Sequence, residues 1–217
     1  MQGGCLSVTR IVFSKTGYAK YISHLDLTRC MARMFARANV PIWYTEGFNP
    51  HPYMVFSAAL PIGVYGENEL LDIKLNEKAD YKELLDRMNK AAPEGISFKE
   101  IYDSDKDFKY VEKAVYEIKI PENISEKFKE FIASPEILVS KKTKRGETTV
   151  DLKAEISIKE SESKDGYVIF EAIAPCGNET NISPTLLTGA FSEKTGDDTI
   201  FEISRISFLA KNSEIFR

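Results

Sequence analysis

The chain has 217 residues, of which 43% are hydrophobic and 29% are charged, so it can bury one good core or two small ones. Its formal net charge of -4 argues against a protein that coats nucleic acid with its whole surface, although a local basic patch can still bind phosphates. No apolar run approaches the about 20 residues that cross a bilayer, and the first residues lack a signal-peptide pattern. These features predict a cytoplasmic protein without a membrane partner.

The three cysteines, Cys5, Cys30 and Cys176, are scattered along the chain. Their spacing excludes a disulfide framework and a CxxC metal motif, and it lacks the clustered CxxxCxxC that holds an iron–sulfur cluster. We therefore expect no cofactor in this chain.

The first half of the chain, residues 1–108, is predicted to fold as one domain. Strand-type patterns cover residues 6–14, 53–58, 69–75 and 96–102, and two capped amphipathic helices begin after Ser23 and after Asp80. The resulting order β-α-β-β-α-β is that of a ferredoxin-like fold.

The first helix has a clear start signal. Ser23 is a good N-cap residue, and Asp26 three residues later completes a capping box and suits the positive end of the helix dipole. Apolar residues recur at helical spacing and predict a face that packs in the core: Leu27, Cys30, Met31, Met34, Phe35 and Ala38.

A row of arginines follows a different face of this helix, because Arg29, Arg33 and Arg37 stand at i, i+4 and i+8. The row is compatible with a solvated helix face and equally with a surface that faces phosphates.

The loop after the first helix combines aromatic residues with two prolines. Asn49 and His51 each precede a proline, which biases both residues towards extended backbone and should hold them in defined orientations. Such a loop can bind a planar group or position a substrate; alternatively, it is structural and His51 bonds to backbone. The aromatic residues around it are Trp43, Tyr44, Phe48 and Tyr53.

The second half, residues 109–217, follows a charged linker at 103–107. Strands are predicted over 114–120, 137–142, 148–158, 167–174 and 200–209, with helices over 121–133 and 183–191. This pattern predicts a second α+β domain, a ferredoxin-like unit modified by an extra hairpin. The tip of that hairpin is basic, and it either lies solvated or contacts phosphates: Lys141, Lys142, Lys144 and Arg145.

Four short motifs, in this order, resemble the bacterial radical-SAM-linked proteins of unknown function. They are Lys15-Thr16-Gly17, Tyr21-Ile22-Ser23-His24-Leu25-Asp26-Leu27-Thr28-Arg29, Gly47-Phe48-Asn49-Pro50-His51-Pro52 and Leu60-Pro61-Ile62-Gly63. The resemblance implies an intracellular partner that is a radical SAM protein, which would carry the iron–sulfur cluster and S-adenosylmethionine. It also implies a role connected with RNA or ribosome modification, without implying any activity of this chain itself.

Three functional hypotheses remain at this point. The first is a non-catalytic binding module that presents RNA or a nucleotide-type substrate to the radical SAM enzyme. Its contacts would be Asp26, Arg29, Arg33, Tyr44, Phe48, Asn49, His51, Tyr53, Lys144 and Arg145.

The second hypothesis is a hydrolase-like or metal-dependent enzyme, which we favour less. His24 and His51 would serve as general acid and base, or as metal ligands together with Asp26, which is a sparse ligand set. The third hypothesis is a protein–protein adaptor that docks through the aromatic loop. The oligomeric state is left open.

Overall fold

The computed structural model describes residues 8–143, 146–177 and 180–217. The chain divides into two compact units, the first ending at Phe108 and the second running from Lys109 to Arg217. Helices and antiparallel strands occur in both, so the fold class is α+β, as predicted. Within the described residues, no helix is long and apolar enough to span a membrane.

Within residues 8–108, the first unit contains four strands and two α-helices. Strand β1 lies between β4 and β3, and β2 pairs with β3, with every neighbouring pair antiparallel. A short 3-10 helix, Gly17–Tyr21, connects β1 to α1. The bounds are β1 Val8–Lys15, α1 His24–Arg37, β2 Met54–Phe56, β3 Tyr65–Lys74, α2 Tyr81–Ala91 and β4 Ile96–Ser104.

One continuous core joins both helices of this unit to its sheet. Helix α1 buries Leu27, Met31, Met34 and Phe35, so most of its predicted apolar face is confirmed. Cys30 on the same face is only half-buried. The core continues through buried residues of α2 and the strands: Ile11, Phe13, Leu71, Ile73, Leu84, Met88 and Phe98.

A buried ion pair lies between β1 and β3. Arg10, whose side chain is 0% exposed, donates from Nε and Nη2 to the two carboxylate oxygens of Asp72 at 2.7 and 2.9 Å. The same guanidinium donates to the carbonyl of Lys106 and lies 4.3 Å from the ring centroid of Phe108. The pair therefore also fixes the segment that was predicted as a linker.

The second unit has a four-stranded antiparallel sheet in the order β10-β5-β9-β8, together with a separate β6–β7 ribbon. In the part of this unit that the structure describes, three α-helices, one of them a single turn, accompany these strands. The bounds are β5 Val111–Pro121, α3 Glu122–Ile132, β6 Leu138–Thr143, β7 Gly146–Asp151, α4 Leu152–Glu155, β8 Ser157–Lys164, β9 Tyr167–Pro175, α5 Thr185–Thr195 and β10 Glu202–Ala210.

The prediction of one strand over 148–158 was wrong. Asp151 ends β7, and its carboxylate accepts the backbone N–H of Lys153, which caps the single turn α4. The same carboxylate also accepts the N–H of Ile137. This bonding competes with continued strand pairing because a short acidic side chain satisfies the free N–H groups of a helical turn. Strand β8, which the prediction missed, follows this turn.

Candidate functional site

The loop predicted to carry function is a hairpin between residues 43 and 53. Its backbone is closed by hydrogen bonds from Thr45 N to His51 O at 2.8 Å and from Tyr53 N to Trp43 O at 2.9 Å. Between these bonds, Tyr44 and Pro52 form an antiparallel bridge. The turn between 46 and 50 is therefore held on a paired base, and Gly47 adopts a left-handed φ of 119° that favours glycine.

Aromatic side chains occupy the base of this hairpin. The rings of Trp43 and Tyr53 lie 6.0 Å apart, and the Lys74 ammonium lies 5.5 and 4.7 Å from their respective centroids. Tyr53 is thus engaged in packing at the base. Tyr44 is 47% exposed, and Phe48 at the tip is fully exposed. Phe48 therefore contributes no buried area to the fold.

His51 takes part in the hairpin itself. Its Nδ1 lies 3.0 Å from the Thr45 hydroxyl and 3.1 Å from the Asn49 carbonyl, and its backbone N–H donates to the same hydroxyl. The imidazole remains exposed at the surface. These bonds explain why a histidine between two prolines stabilises this turn, and they agree with the structural alternative for His51.

His24 has different neighbours. Its ring packs edge-on against Phe56, with the centroids 4.9 Å apart, and Phe56 in turn packs against Phe13 in the core. Within the described ranges, no group of three or more His, Cys, Asp or Glu side chains is arranged to hold a metal ion.

The first turn of α1 is organised around Ser23. Its hydroxyl accepts the Asp26 N–H at 3.1 Å, which confirms the predicted N-cap, and donates to the Asp26 carboxylate at 2.7 Å. Arg29 lies 3.6 Å from that carboxylate, in an ion pair whose two side chains are more than half exposed. Both side chains therefore remain accessible to a ligand, and a pair this exposed contributes little to stability.

The arginine row is exposed along α1, as the spacing predicted. Arg29 pairs with Asp26, and Arg37 donates to the Ala91 carbonyl at the end of α2 at 2.9 Å. Arg33 lies between them and is also exposed. Arg37 therefore has a structural contact, whereas Arg29 and Arg33 present cations to solvent.

Sequence reasoning missed a surface beside the first turn of α1. The 3-10 helix carries Tyr18 and Tyr21, which are 87% and 57% exposed. Lys20 between them donates to the Tyr65 hydroxyl at 2.8 Å, and that hydrogen bond raises the pKa of Lys20. The Gly63 N–H donates to the Lys20 carbonyl at 2.9 Å, which brings the Leu60–Gly63 motif to this place.

The predicted basic hairpin of the second unit is the ribbon formed by β6 and β7. In the part of the ribbon that the structure describes, Lys141 donates a hydrogen bond to the Asn181 carbonyl and so connects the ribbon to the segment before α5. Lys144 and Arg145, the predicted phosphate contacts, lie outside the described residues.

The fold and this surface define an α+β protein with an exposed aromatic hairpin and exposed arginines, and its family follows from comparison. Residues 9–184 match the family described as "Uncharacterized protein conserved in bacteria (DUF2344)". The match spans most of the chain, so the chain belongs to this family.

Other comparisons add little to this assignment. No curated protein matches the chain. A solved structure described as an unknown protein from Galdieria sulphuraria is 11% identical, and the alignment covers 92% of this chain and 96% of that one, with a TM-score of 0.28. A score this low does not establish a common fold.

Proposed function

We propose that this chain is a non-catalytic accessory protein that binds an RNA or nucleotide-type substrate and presents it to a radical SAM enzyme. The observation that carries the proposal is Phe48, a large apolar side chain that is fully exposed at the tip of a hydrogen-bonded hairpin. A phenylalanine in that position stabilises nothing within the unit, whereas its ring offers a stacking surface for a base.

The hairpin supports this role because its conformation is fixed before a ligand arrives. Thr45 and His51 bond to each other through backbone and side chains on both sides of the turn. A preorganised aromatic group loses little conformational entropy on binding, which improves affinity without additional contacts. Tyr44, which forms the bridge with Pro52 and is half exposed, offers a second ring.

Phosphate contacts would come from the cations that the fold leaves accessible. Arg29 and Arg33 are exposed on α1, and Asp26 orients Arg29 through the ion pair. Lys144 and Arg145, which lie outside the described residues, are the further phosphate contacts of the proposal. Guanidinium groups suit phosphate because they donate two parallel hydrogen bonds.

The enzymatic alternative has less support. His51 directs Nδ1 into the turn, and His24 packs against Phe56, so each imidazole has a structural contact. General acid–base work by this pair would require both rings to reach one substrate. A hydrolase that uses His24 and His51 thus remains the weaker proposal.

A protein–protein adaptor is the second candidate, and one observation favours it. Leu25 and Ile62 are 58% and 61% exposed, and exposed apolar side chains contribute to docking surfaces where they form one patch. Salt discriminates between the two: RNA binding weakens steeply as salt rises, whereas an apolar interface does not.

The finer fold and the cellular setting belong to the same proposal. We infer that both halves are ferredoxin-like, the second modified by the β6–β7 hairpin. The first sheet has the order β4-β1-β3-β2, which supports this because 4-1-3-2 is expected of a βαββαβ unit. The second sheet, β10-β5-β9-β8, has the same order when its four strands are numbered along the chain. The radical SAM partner would supply the iron–sulfur cluster and S-adenosylmethionine in the cytoplasm.

The proposal is tested by replacing Phe48 with alanine. Binding of a fluorescein-labelled ten-nucleotide RNA is measured by anisotropy at low salt, and a purified candidate radical SAM partner is then added. Loss of one stacked base corresponds to about 1–3 kcal/mol, so we expect Phe48→Ala to raise the Kd roughly 5- to 150-fold. The radical SAM enzyme should form a ternary complex with the wild-type protein and RNA.

Tyr167→Ala provides the control, since Tyr167 is a 46% exposed aromatic residue on the second unit. It should leave the Kd unchanged. The proposal fails if wild-type protein does not bind RNA at low salt, or if Phe48→Ala binds as tightly as the wild type.

A further inference from the structure

The 3-10 helix before α1 carries two tyrosines that the fold leaves largely outside the core. Tyr18 and Tyr21 are 87% and 57% exposed, although they flank the buried Ala19. Residues three apart in a 3-10 helix are eclipsed, so both tyrosines project from one side. Two exposed tyrosines on a hydrogen-bonded backbone thus present ring surface that the fold itself does not bury.

The backbone beneath these rings is fixed by a buried lysine. Lys15, which is 1% exposed, donates from Nζ to the Ile22 carbonyl at 3.1 Å and to the Lys20 carbonyl at 3.5 Å. The Gly63 N–H also donates to the Lys20 carbonyl. The end of the 3-10 helix is therefore bonded to both β1 and the turn after Pro61, and Tyr21 is presented from a rigid support.

A cation is held among the aromatic rings. The Lys20 ammonium lies 4.2 Å from the Tyr65 ring centroid and 5.1 Å from the Tyr21 centroid, and it bonds to the Tyr65 hydroxyl. The Tyr65 hydrogen bond raises the pKa of Lys20, so the side chain is charged at neutral pH. Its position is set by these contacts rather than by free rotation.

Lys20 is the cation that this cluster offers to a ligand. Two exposed arginines, Arg29 and Arg33, follow on α1, and Arg29 pairs with Asp26. A cation beside an exposed ring suits a ligand that combines a phosphate with a base.

We propose that Tyr18, Lys20 and Tyr21 form a stacking platform for single-stranded polynucleotide, in which bases lie on the tyrosine rings and Lys20 binds a phosphate. This inference rests on the proposed function and adds a second contact surface to the hairpin of Phe48. An aromatic ring with a cation a few ångströms away matches a nucleotide, whose base and phosphate are joined through one sugar.

The test measures binding of fluorescein-labelled ten-nucleotide oligouridylate and oligothymidylate by anisotropy at 50 and 200 mM salt. Each stacked base corresponds to about a 5- to 150-fold change in Kd, so Tyr18→Ala/Tyr21→Ala should weaken binding at least tenfold. Lys20→Ala should weaken binding and reduce the slope of log K against log salt by about 0.7, the contribution of one phosphate contact in a single strand.

The second unit offers a matched control. Tyr110 is 56% exposed in another 3-10 helix, and the Lys109 ammonium lies 5.1 Å from its ring centroid. Tyr110→Ala should bind within twofold of the wild type. If the double variant loses its fold, as judged by urea unfolding, Tyr18→Ala alone serves, because this ring is the more exposed of the two.

The outcomes separate this inference from the proposed function. If both oligonucleotides bind and the tyrosine variants bind like the wild type while Phe48→Ala does not, the platform is wrong and the hairpin stands. If neither oligonucleotide binds at 50 mM salt, both proposals fall. Tighter binding of the ribo-oligonucleotide assigns RNA as the ligand, and equal binding of the two assigns single strands of either kind.

Discussion

Replacing Asp72 with asparagine should destabilise the protein strongly, because its ion-pair partner, the Arg10 guanidinium, is buried. The Arg10 guanidinium is 0% exposed and makes two parallel hydrogen bonds to the Asp72 carboxylate, whose side chain is 9% exposed. Burial raises the pKa of Asp72, while the bonds from Arg10 oppose that rise. Desolvation is thus the largest contribution to the pKa of Asp72, and the charged carboxylate is compatible with this buried position only because it pairs with Arg10.

The magnitude follows from what asparagine leaves behind. The amide keeps the shape and one acceptor but removes the negative charge, so a buried guanidinium loses its counter-charge. Removing one partner of a buried pair destabilises by about 3–5 kcal/mol. Replacing both partners by apolar residues of similar volume, as in Arg10→Met/Asp72→Leu, removes the unpaired charge and is often neutral or stabilising.

The free energy of unfolding of both variants is measured by urea denaturation, which is followed by two independent signals. Trp43, the single tryptophan, packs against Tyr53 in the first unit and reports that unit by fluorescence. Far-UV circular dichroism reports both units. With a urea m-value of about 1–3 kcal/mol/M, a decrease of about 3–5 kcal/mol in the free energy of unfolding lowers the fluorescence midpoint by more than roughly 1 M.

Two results would refute the reasoning about this pair. A loss below about 1 kcal/mol for Asp72→Asn would mean that Arg10 is compensated by its other contacts, such as the Lys106 carbonyl. A double variant as unstable as the sum of the two single variants would mean that the residues do not act as a pair.

Two further predictions concern the first unit. Met34 is 0% exposed in the core, so Met34→Ala should destabilise by about 2–5 kcal/mol in urea unfolding, and a value below 1 would contradict the assigned core. Burial, followed by the hydrogen bond to Asp103, raises the pKa of Tyr81. The unfolded chain then loses this proton first as pH rises past about 10, so stability falls there. Tyr81→Phe should show a smaller alkaline loss, and an equal loss would exclude Tyr81 as a cause.

Patterns with a local physical origin were predictable from the sequence. The helix α1 begins where Ser23 can accept an N–H from its first turn, and its core face follows the 3.6-residue period. Asp80 caps α2 in the same way, by accepting the N–H groups of Lys82 and Glu83. These signals depend on neighbours within one turn, so no tertiary information is needed.

The errors arose where tertiary context decides. Strand β8 is polar along most of its length because it is exposed, so it lacks the alternation that marks a half-buried strand. Lys20 and Tyr65 are 45 residues apart in the sequence, and only the folded unit brings the ammonium to the hydroxyl. No periodicity in the sequence can indicate a contact of this kind.

Each motif residue can be sorted by whether folding explains it. Lys15 bonds two carbonyls of the next segment, Ser23 caps α1, and His51 closes a turn, so stability alone accounts for these three. Stability does not account for Tyr21 or Phe48, whose rings remain exposed on backbones that the structural residues hold in place. A motif that combines rigid supports with exposed rings is the arrangement expected of a preorganised binding surface. For this reason our functional proposal rests on the exposed rings rather than on the histidines.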